Sequence, residues 1–333
     1  MAFIRGSTSV FLLLWITLLF IALNNKKLVL RHIAKFLNPL KFHDTCSSLL
    51  TSGNLSKNLT WSPSDDGCEF LVYSKENFLE CLENREERGF SNVFVFTGDS
   101  RIRYLSQCFM RNSGYNLSEA MEKMRKGVHV TYPHLYKSNS FVSYYGDVFM
   151  HEPAVMPTNI TLSQTTPALI VAGSAAWYIA EDMFNSDLLF WNMSQQQRVK
   201  IYRGKVRKWA VNATAFLEQH PESKVLWMIQ EPVDETAPHY YFINNRKIDL
   251  YNRAAIAVLK DYPRIQVWYS GRDYSIKYQE LGHSSYSYPD PIHMSHAVMT
   301  AESQILLNLL CNDFVTDSDA EDRCLCCSHK CFL

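Results

Sequence analysis

The sequence predicts an α/β fold: a three-layer αβα sandwich around a central parallel sheet. Three observations lead there. Short, near-continuous apolar runs recur along the 333 residues, they alternate with helical patterns, and the first three end at Ser100, Gly173 and Gln230. Such runs are typical of strands buried on both faces. A β-α-β-α order gives parallel strands covered by helices, and in such sheets a site forms at the carboxyl ends of the strands.

Residues 1–9 read as a short tail, cytoplasmic in this reading. Residues 10–23, VFLLLWITLLFIAL, carry no charge. With Gly6–Ser9 the segment reaches about 18 residues, near the lower limit for a bilayer span. A cleaved signal peptide competes, but Ala22-Leu23-Asn24 is a poor cleavage site, so the segment reads as a signal anchor. Residues 24–45 read as a stem, 46–312 as the globular domain and 313–333 as a Cys-rich tail. Within the domain, strands are expected at Asn92 to Phe96, Ala168 to Ala172, Lys224 to Ile229 and Arg264 to Tyr269. Helices are expected at Ile102 to Arg111, Ala175 to Met183, Gln195 to Gln219, Arg246 to Leu259 and His296 to Leu310.

Lys plus Arg number 33 and Asp plus Glu number 33, so no basic excess argues for nucleic acid. Flanking charge and glycosylation signals disagree on orientation. Lys26, Lys27, Arg31 and Lys35 against Arg5 would leave the bulk of the chain cytoplasmic. Asn54, Asn58, Asn116, Asn159, Asn192 and Asn212 each open an Asn-x-Ser/Thr sequon. Six in one domain outweigh the flank and predict a lumenal protein. The nine cysteines suit that compartment. They cluster at Cys46, Cys68, Cys81 and Cys108, then at Cys311, Cys324, Cys326, Cys327 and Cys331, as expected of disulfides at the domain's edges. A zinc site in the late cluster is the competing reading, although its crowding matches no usual ligand spacing.

The chemistry-bearing motif is Thr97-Gly98-Asp99-Ser100, at the end of an apolar run, with Asp290-Pro291-Ile292-His293 far downstream. A serine between a strand and a helix sits where free N–H groups and the helix dipole favour an oxyanion. His293 can take the serine proton and Asp290 can fix the imidazole tautomer. The bland alternative is that Asp99-Ser100 caps a helix and His293 is a surface residue. Convergence of Ser100, Gly173 and Gln230 on one sheet edge favours chemistry. Gly173 can offer an N–H at close approach, or be a turn glycine. Gln230 can donate its amide to the same oxyanion, or simply end a strand. Arg101 and Arg103 can contact an anionic substrate, or line a solvated helix face.

The blocks GDSRIRYL, IVAGSAAW, WMIQEPV, IDLYNRAA and DPIH, in that order, resemble the SGNH or GDSL-like hydrolase superfamily and, within it, the lumenal domain of the Golgi sialate O-acetyltransferases of the capsule-synthesis family. The resemblance covers roughly residues 46–327, and Cys46, Cys68, Cys81 and Cys311 fall where that family places cysteines. It implies that Ser100 takes acetyl from acetyl-CoA, a co-substrate rather than a bound cofactor. The acyl-enzyme then passes acetyl to sialic acid, free or nucleotide-activated, or to another glycan hydroxyl. With the anchor reading, this makes the chain a Golgi, single-pass type II protein, and no metal site is expected. Two departures stand out. Pro291 occupies a position the family gives to Gly. The family also carries many membrane helices after the catalytic domain, whereas this chain ends at Leu333: it is either a partial product or a stand-alone form, which would draw donor through a multi-span membrane partner. An esterase of the same fold and a non-catalytic glycan-binding protein are the rival readings.

Overall fold

The computed structural model describes residues 45–63, 68–112, 129–133, 141–146, 150, 166–179, 193–236, 243–287, 290–315 and 324–328. The anchor segment 10–23, the tail and stem around it, and the sequons at Asn116, Asn159 and Asn192 lie outside them. Among the described residues no helix is long and apolar enough to cross a membrane.

In chain order the elements are α1 (Thr45–Thr51), β1 (Gly53–Leu55), β2 (Trp61–Pro63), α2 (Lys75–Glu87), β3 (Val93–Gly98), α3 (Ser100–Asn112), β4 (His129–Pro133), β5 (Phe141–Tyr145), β6 (Leu169–Gly173) and α4 (Ala176–Ile179). There follow α5 (Gln195–Gln219), β7 (Lys224–Met228), α6 (Asn245–Leu259), β8 (Gln266–Trp268), α7 (Ser270–Glu280), β9 (Tyr286–Ser287), β10 (Asp290–Met294), α8 (His296–Cys311) and a closing 3₁₀ turn, Asn312–Phe314. The main sheet has the order β4-β5-β3-β6-β7-β8. Its last five strands run parallel, and β4 is an antiparallel edge on β5.

Side-chain alternation along the parallel strands produces two cores. Phe94, Phe96, Leu169, Val171, Leu226 and Met228 face one way, into a layer with residues of α3 and α8. Val93, Val95, Ile170, Ala172, Val225 and Trp227 face the other, into a layer with residues of α5 and α6. Successive strand residues point to opposite faces, so an apolar run with no polar partner positions must be covered on both sides. The expected layered α/β fold with a parallel sheet is the one observed.

The long helix α5 shows why its boundaries were readable. Ser194 accepts from the Gln197 N–H, and the Gln197 side chain accepts from the Ser194 N–H, a capping box. The helix expected at Ala175 to Met183 is described as Ala176–Ile179, the rest lying outside the described residues. Helices α1, α2 and α7 and the β1–β2, β4–β5 and β9–β10 pairs were not expected. Helix α7 buries Tyr274, Ser275 and Tyr278 rather than aliphatic residues. Helix α2 buries Arg85 among its apolar positions, which blurs its periodicity. Strand β4 ends at Pro133, a residue tolerated at a sheet edge but disfavoured inside.

Cysteines of the two clusters join across the domain as Cys46–Cys327, Cys68–Cys326 and Cys81–Cys311. Cys324 is also disulfide-bonded, so Cys324, Cys326 and Cys327 have no thiolates to offer zinc. Cys108 is a buried free thiol.

Candidate active site

Strand β3 is the pivot of the site. The chain leaves it towards β5 on one side and returns as β6 on the other, the arrangement that opens a crevice at strand ends. Gly98, the last residue of β3, has φ +145°. A Cβ there would stand 1.9 Å from the Gly173 carbonyl oxygen, so only glycine allows β3 and β6 to close at this point. Gly173 is itself confined: a Cβ would meet the Met228 carbonyl oxygen at 2.9 Å and Ile102 at 3.0 Å. Asp99 is fully buried and acts as a cap: its carboxylate accepts from the Arg101 N–H at 3.1 Å, and its own N–H donates to the Gly173 carbonyl at 3.3 Å. The capping alternative therefore holds for Asp99, which leaves Ser100 free to open α3 with its hydroxyl at the strand ends. Tyr144, from the unexpected strand β5, donates to the Gly98 carbonyl at 3.1 Å and so braces the turn from the far side.

His293 lies in β10, brought in by the late hairpin rather than by the main sheet. Its Nε2 stands 2.6 Å from Ser100 Oγ and its Nδ1 2.5 Å from Asp290 Oδ2. The other Asp290 oxygen accepts from the N–H groups of Ile292 at 2.9 Å and His293 at 3.2 Å. One carboxylate thus shapes the turn and orients the ring. The bond pattern explains why Pro291 is tolerated: Asp290 calls on the two N–H groups after the proline, and the Pro291 carbonyl accepts from Asp234 at 3.0 Å. Burial works against ionisation of Asp290, but the hydrogen bonds from His293 and Ile292 outweigh it and hold its pKa below the ordinary value. The Tyr104 ring packs edge-on against His293 at 4.7 Å, and the Arg103 guanidinium stacks over Tyr104 at 5.1 Å. His296, the neighbouring histidine, makes its contact with Arg111 instead.

Gln230 is 3% exposed. Its main chain is clasped by Asn252, which accepts from its N–H and donates to its carbonyl, both at 2.9 Å, while its side-chain Oε1 has no partner among the described residues. Asn54, Asn58 and Asn212 are exposed, as glycan attachment requires.

Arg101 departs from expectation. It faces neither solvent nor cleft: it is 1% exposed and donates from Nη1 to the Glu231 carbonyl at 2.7 Å and to Glu231 Oε2 at 3.1 Å. Glu231 is equally buried, and Glu302 of α8 is 0% exposed with neither carboxyl oxygen hydrogen-bonded among the described residues. Burial first, then the charge of Glu231, drives the Glu302 pKa well above the ordinary carboxylate value. Sequence reasoning missed Glu231 and Glu302. Glu231 stands in the WMIQEPV block and was readable as a strand-end acid; Glu302 sits in an apolar helix, where only its incongruity marks it.

No protein-family model matches the chain. The chain is 27% identical over 294 residues to the N-acetylneuraminate (7)9-O-acetyltransferase of Danio rerio, a match covering 85% of this chain and 32% of that protein. The chain thus spans about a third of its relative's length. Among solved structures, an acetylxylan esterase from Geobacillus stearothermophilus aligns with TM-score 0.38 at 13% identity, over 68% of this chain and 97% of the esterase. The N-terminal, phosphatase-domain part of a Bacteroides fragilis protein aligns with TM-score 0.39 at 10% identity, over 72% of this chain and 56% of that chain. Similarity this slight says nothing of the present chain's activity. By its sequence blocks and its curated relative, the chain fits the sialate O-acetyltransferase family.

Proposed function

We propose that this chain transfers acetyl through a serine acyl-enzyme, from acetyl-CoA to a hydroxyl of sialic acid or another glycan sugar. One observation carries the reading: Ser100 Oγ, His293 and Asp290 stand in a single hydrogen-bonded line. In the first half-reaction Ser100 Oγ attacks the thioester carbonyl while His293 Nε2 takes its proton. The tetrahedral adduct collapses, the C–S bond breaks, and the thiol leaves with that proton. In the second, a sugar hydroxyl gives its proton to His293 and attacks the acetyl ester, and Ser100 recovers its hydrogen as the product ester departs. The Ser100 N–H, first in α3 and without an intrahelical acceptor, is the natural oxyanion donor. Gly173 N–H and the Gln230 amide are the proposed additional donors, and Arg103, stacked over Tyr104, is the one of the two arginines first considered for an anionic substrate that is not buried.

A second reading is supported by exposure. The Asp290 side chain is 37% exposed and that of His293 19%, so water has a path to the acyl-enzyme. With water as acceptor the same residues make an acetyl-esterase. The exposed sequons and the apolar 10–23 segment support a Golgi, type II, lumenal placement, in which donor would come through a multi-span membrane partner.

The deciding assay incubates the full chain with acetyl-CoA and a panel of sugars and measures acetyl transfer against free acetate. Ser100→Ala is expected to lower both by about 10³-fold or more, and His293→Ala in the same chain to add little, because residues acting as a unit are non-additive. Wild-type turnover in a folded Ser100→Ala chain would refute the reading.

A further inference from the structure

We propose that the cavity beside His293 is an anion-recognising subsite in which Arg111 holds the carboxylate or phosphate of a reaction partner. The inference rests on the acetyl-transfer reading and names what that site selects.

The cavity has a volume of about 170 Å³ and is lined by His293, Tyr104, Cys108, Arg111, His296 and Met299, among others. It lies between α3, β10 and the start of α8. Ser100, Tyr104, Cys108 and Arg111 recur at helical spacing, so they form one stripe of α3. The nucleophile opens that stripe and the cation closes it. At about 1.5 Å of rise per residue, Arg111 stands about 16 Å from Ser100 along the axis, and helical side chains lean back towards the N-terminus. The span suits a ligand whose charged group is several bonds from its reacting oxygen or carbonyl.

The electrostatics are one-sided. Among the described residues Asp290 is the only acid in the lining, and it is engaged by His293. Arg111 pairs with no carboxylate among the described residues; its partner is His296, which it meets through the ring Nε2. Burial, then the Arg111 charge, lowers the His296 pKa, so the ring accepts rather than competes as a cation. Burial pushes the Cys108 thiol up to about 11, so it adds no negative charge. A guanidinium with one N–H on a neutral imidazole keeps further donors in the fork geometry that suits a carboxylate or phosphate. Arg101, by contrast, spends its charge on Glu231 inside the protein, so Arg111 takes the anion-binding part first considered for it.

Calorimetry on the full chain carrying Ser100→Ala tests this without turnover. The probes are N-acetylneuraminate and its methyl ester for the acceptor side, and coenzyme A and pantetheine for the donor side. Arg111→Gln is expected to weaken N-acetylneuraminate or coenzyme A by about tenfold or more, to leave the uncharged counterpart unchanged, and to be partly rescued by Arg111→Lys. Loss confined to the first pair makes the anion the acceptor's carboxylate; loss confined to the second makes it the donor's phosphates. The proposal is overturned if Arg111→Gln changes neither pair, weakens charged and uncharged probes alike, or if no probe binds. An unchanged melting temperature checks that the exposed Arg111 is not structural. Acetylation of Ser100 is assayed separately in the wild-type chain, so failure of the chemistry leaves the binding result standing.

Discussion

Arg101 follows Ser100 in sequence, yet its guanidinium turns inward and donates to Glu231 Oε2 at 3.1 Å, with both side chains 1% exposed. The pair links the start of α3, which carries Ser100, to the loop after β7, which carries Gln230. Removing one partner strands a buried charge, at a cost of about 3–5 kcal/mol. Arg101→Met is therefore expected to lower the unfolding midpoint strongly. Arg101→Met combined with Glu231→Leu is expected to recover much of the loss, because an uncharged pair leaves nothing stranded. Chemical denaturation of the three variants checks this; equal instability in the double variant would contradict it.

Glu302 gives the fold a pH dependence. Its pKa in the folded chain lies above the ordinary 4.5, so the folded protein holds a proton that the unfolded chain has released. The stability this supplies is complete below about pH 4.5 and is lost as pH rises through the folded value. Asp290 acts in the opposite sense and elsewhere: its pKa is lowered from 3.8, so its contribution is present above that value and lost only as pH falls below it. Melting temperatures of the wild type are expected to fall, as pH rises above the ordinary 4.5, more steeply than those of Glu302→Gln. Parallel curves would show that Glu302 is ionised in the folded chain.

Gly98→Ala is expected to destabilise the chain and abolish activity together. The φ of +145° alone costs a side chain on the order of 1–3 kcal/mol, and the new methyl would collide with the Gly173 carbonyl. The relief it must seek moves Ser100. Thermal unfolding and activity measured on one preparation test the link; a stable, active variant would break it.

Cys81–Cys311 ties α2 to the last residue of α8 across 230 positions. Replacing both cysteines by serine is expected to cost about 2–5 kcal/mol. The hydrogen-bonded arrangement of Ser100, His293 and Asp290 should survive below the new melting point, since neither residue touches it. A loss of activity without a loss of stability would assign this bridge a different part.

The parts legible in the sequence and the parts hidden from it differ in a physical way. Ser100 was legible because it ends an apolar strand after Gly98-Asp99, Asp290 and His293 because their Asp-x-x-His spacing is local, and the two-sided strands because they are largely apolar. Arg101 was misread because a buried arginine looks, in sequence, like any arginine on a helix; what hides it is Glu231, 130 residues away. Glu302 is invisible for the same reason. Tyr144 was missed with its strand, since Ser143 and two tyrosines make up three of its five residues and weaken the apolar signal. Long-range pairing, not local propensity, supplied each of these.

The central claim is an acetyl ester on Ser100. The full chain would be mixed briefly with acetyl-CoA carrying a labelled acetyl group, quenched in acid, digested and sequenced by mass spectrometry. The account predicts label on Ser100 in the wild type, chased off by a sugar acceptor or by water, and none in Ser100→Ala. Acetyl transfer that proceeds at the wild-type rate with Ser100 never labelled, or with Ser100 replaced by alanine, would contradict it.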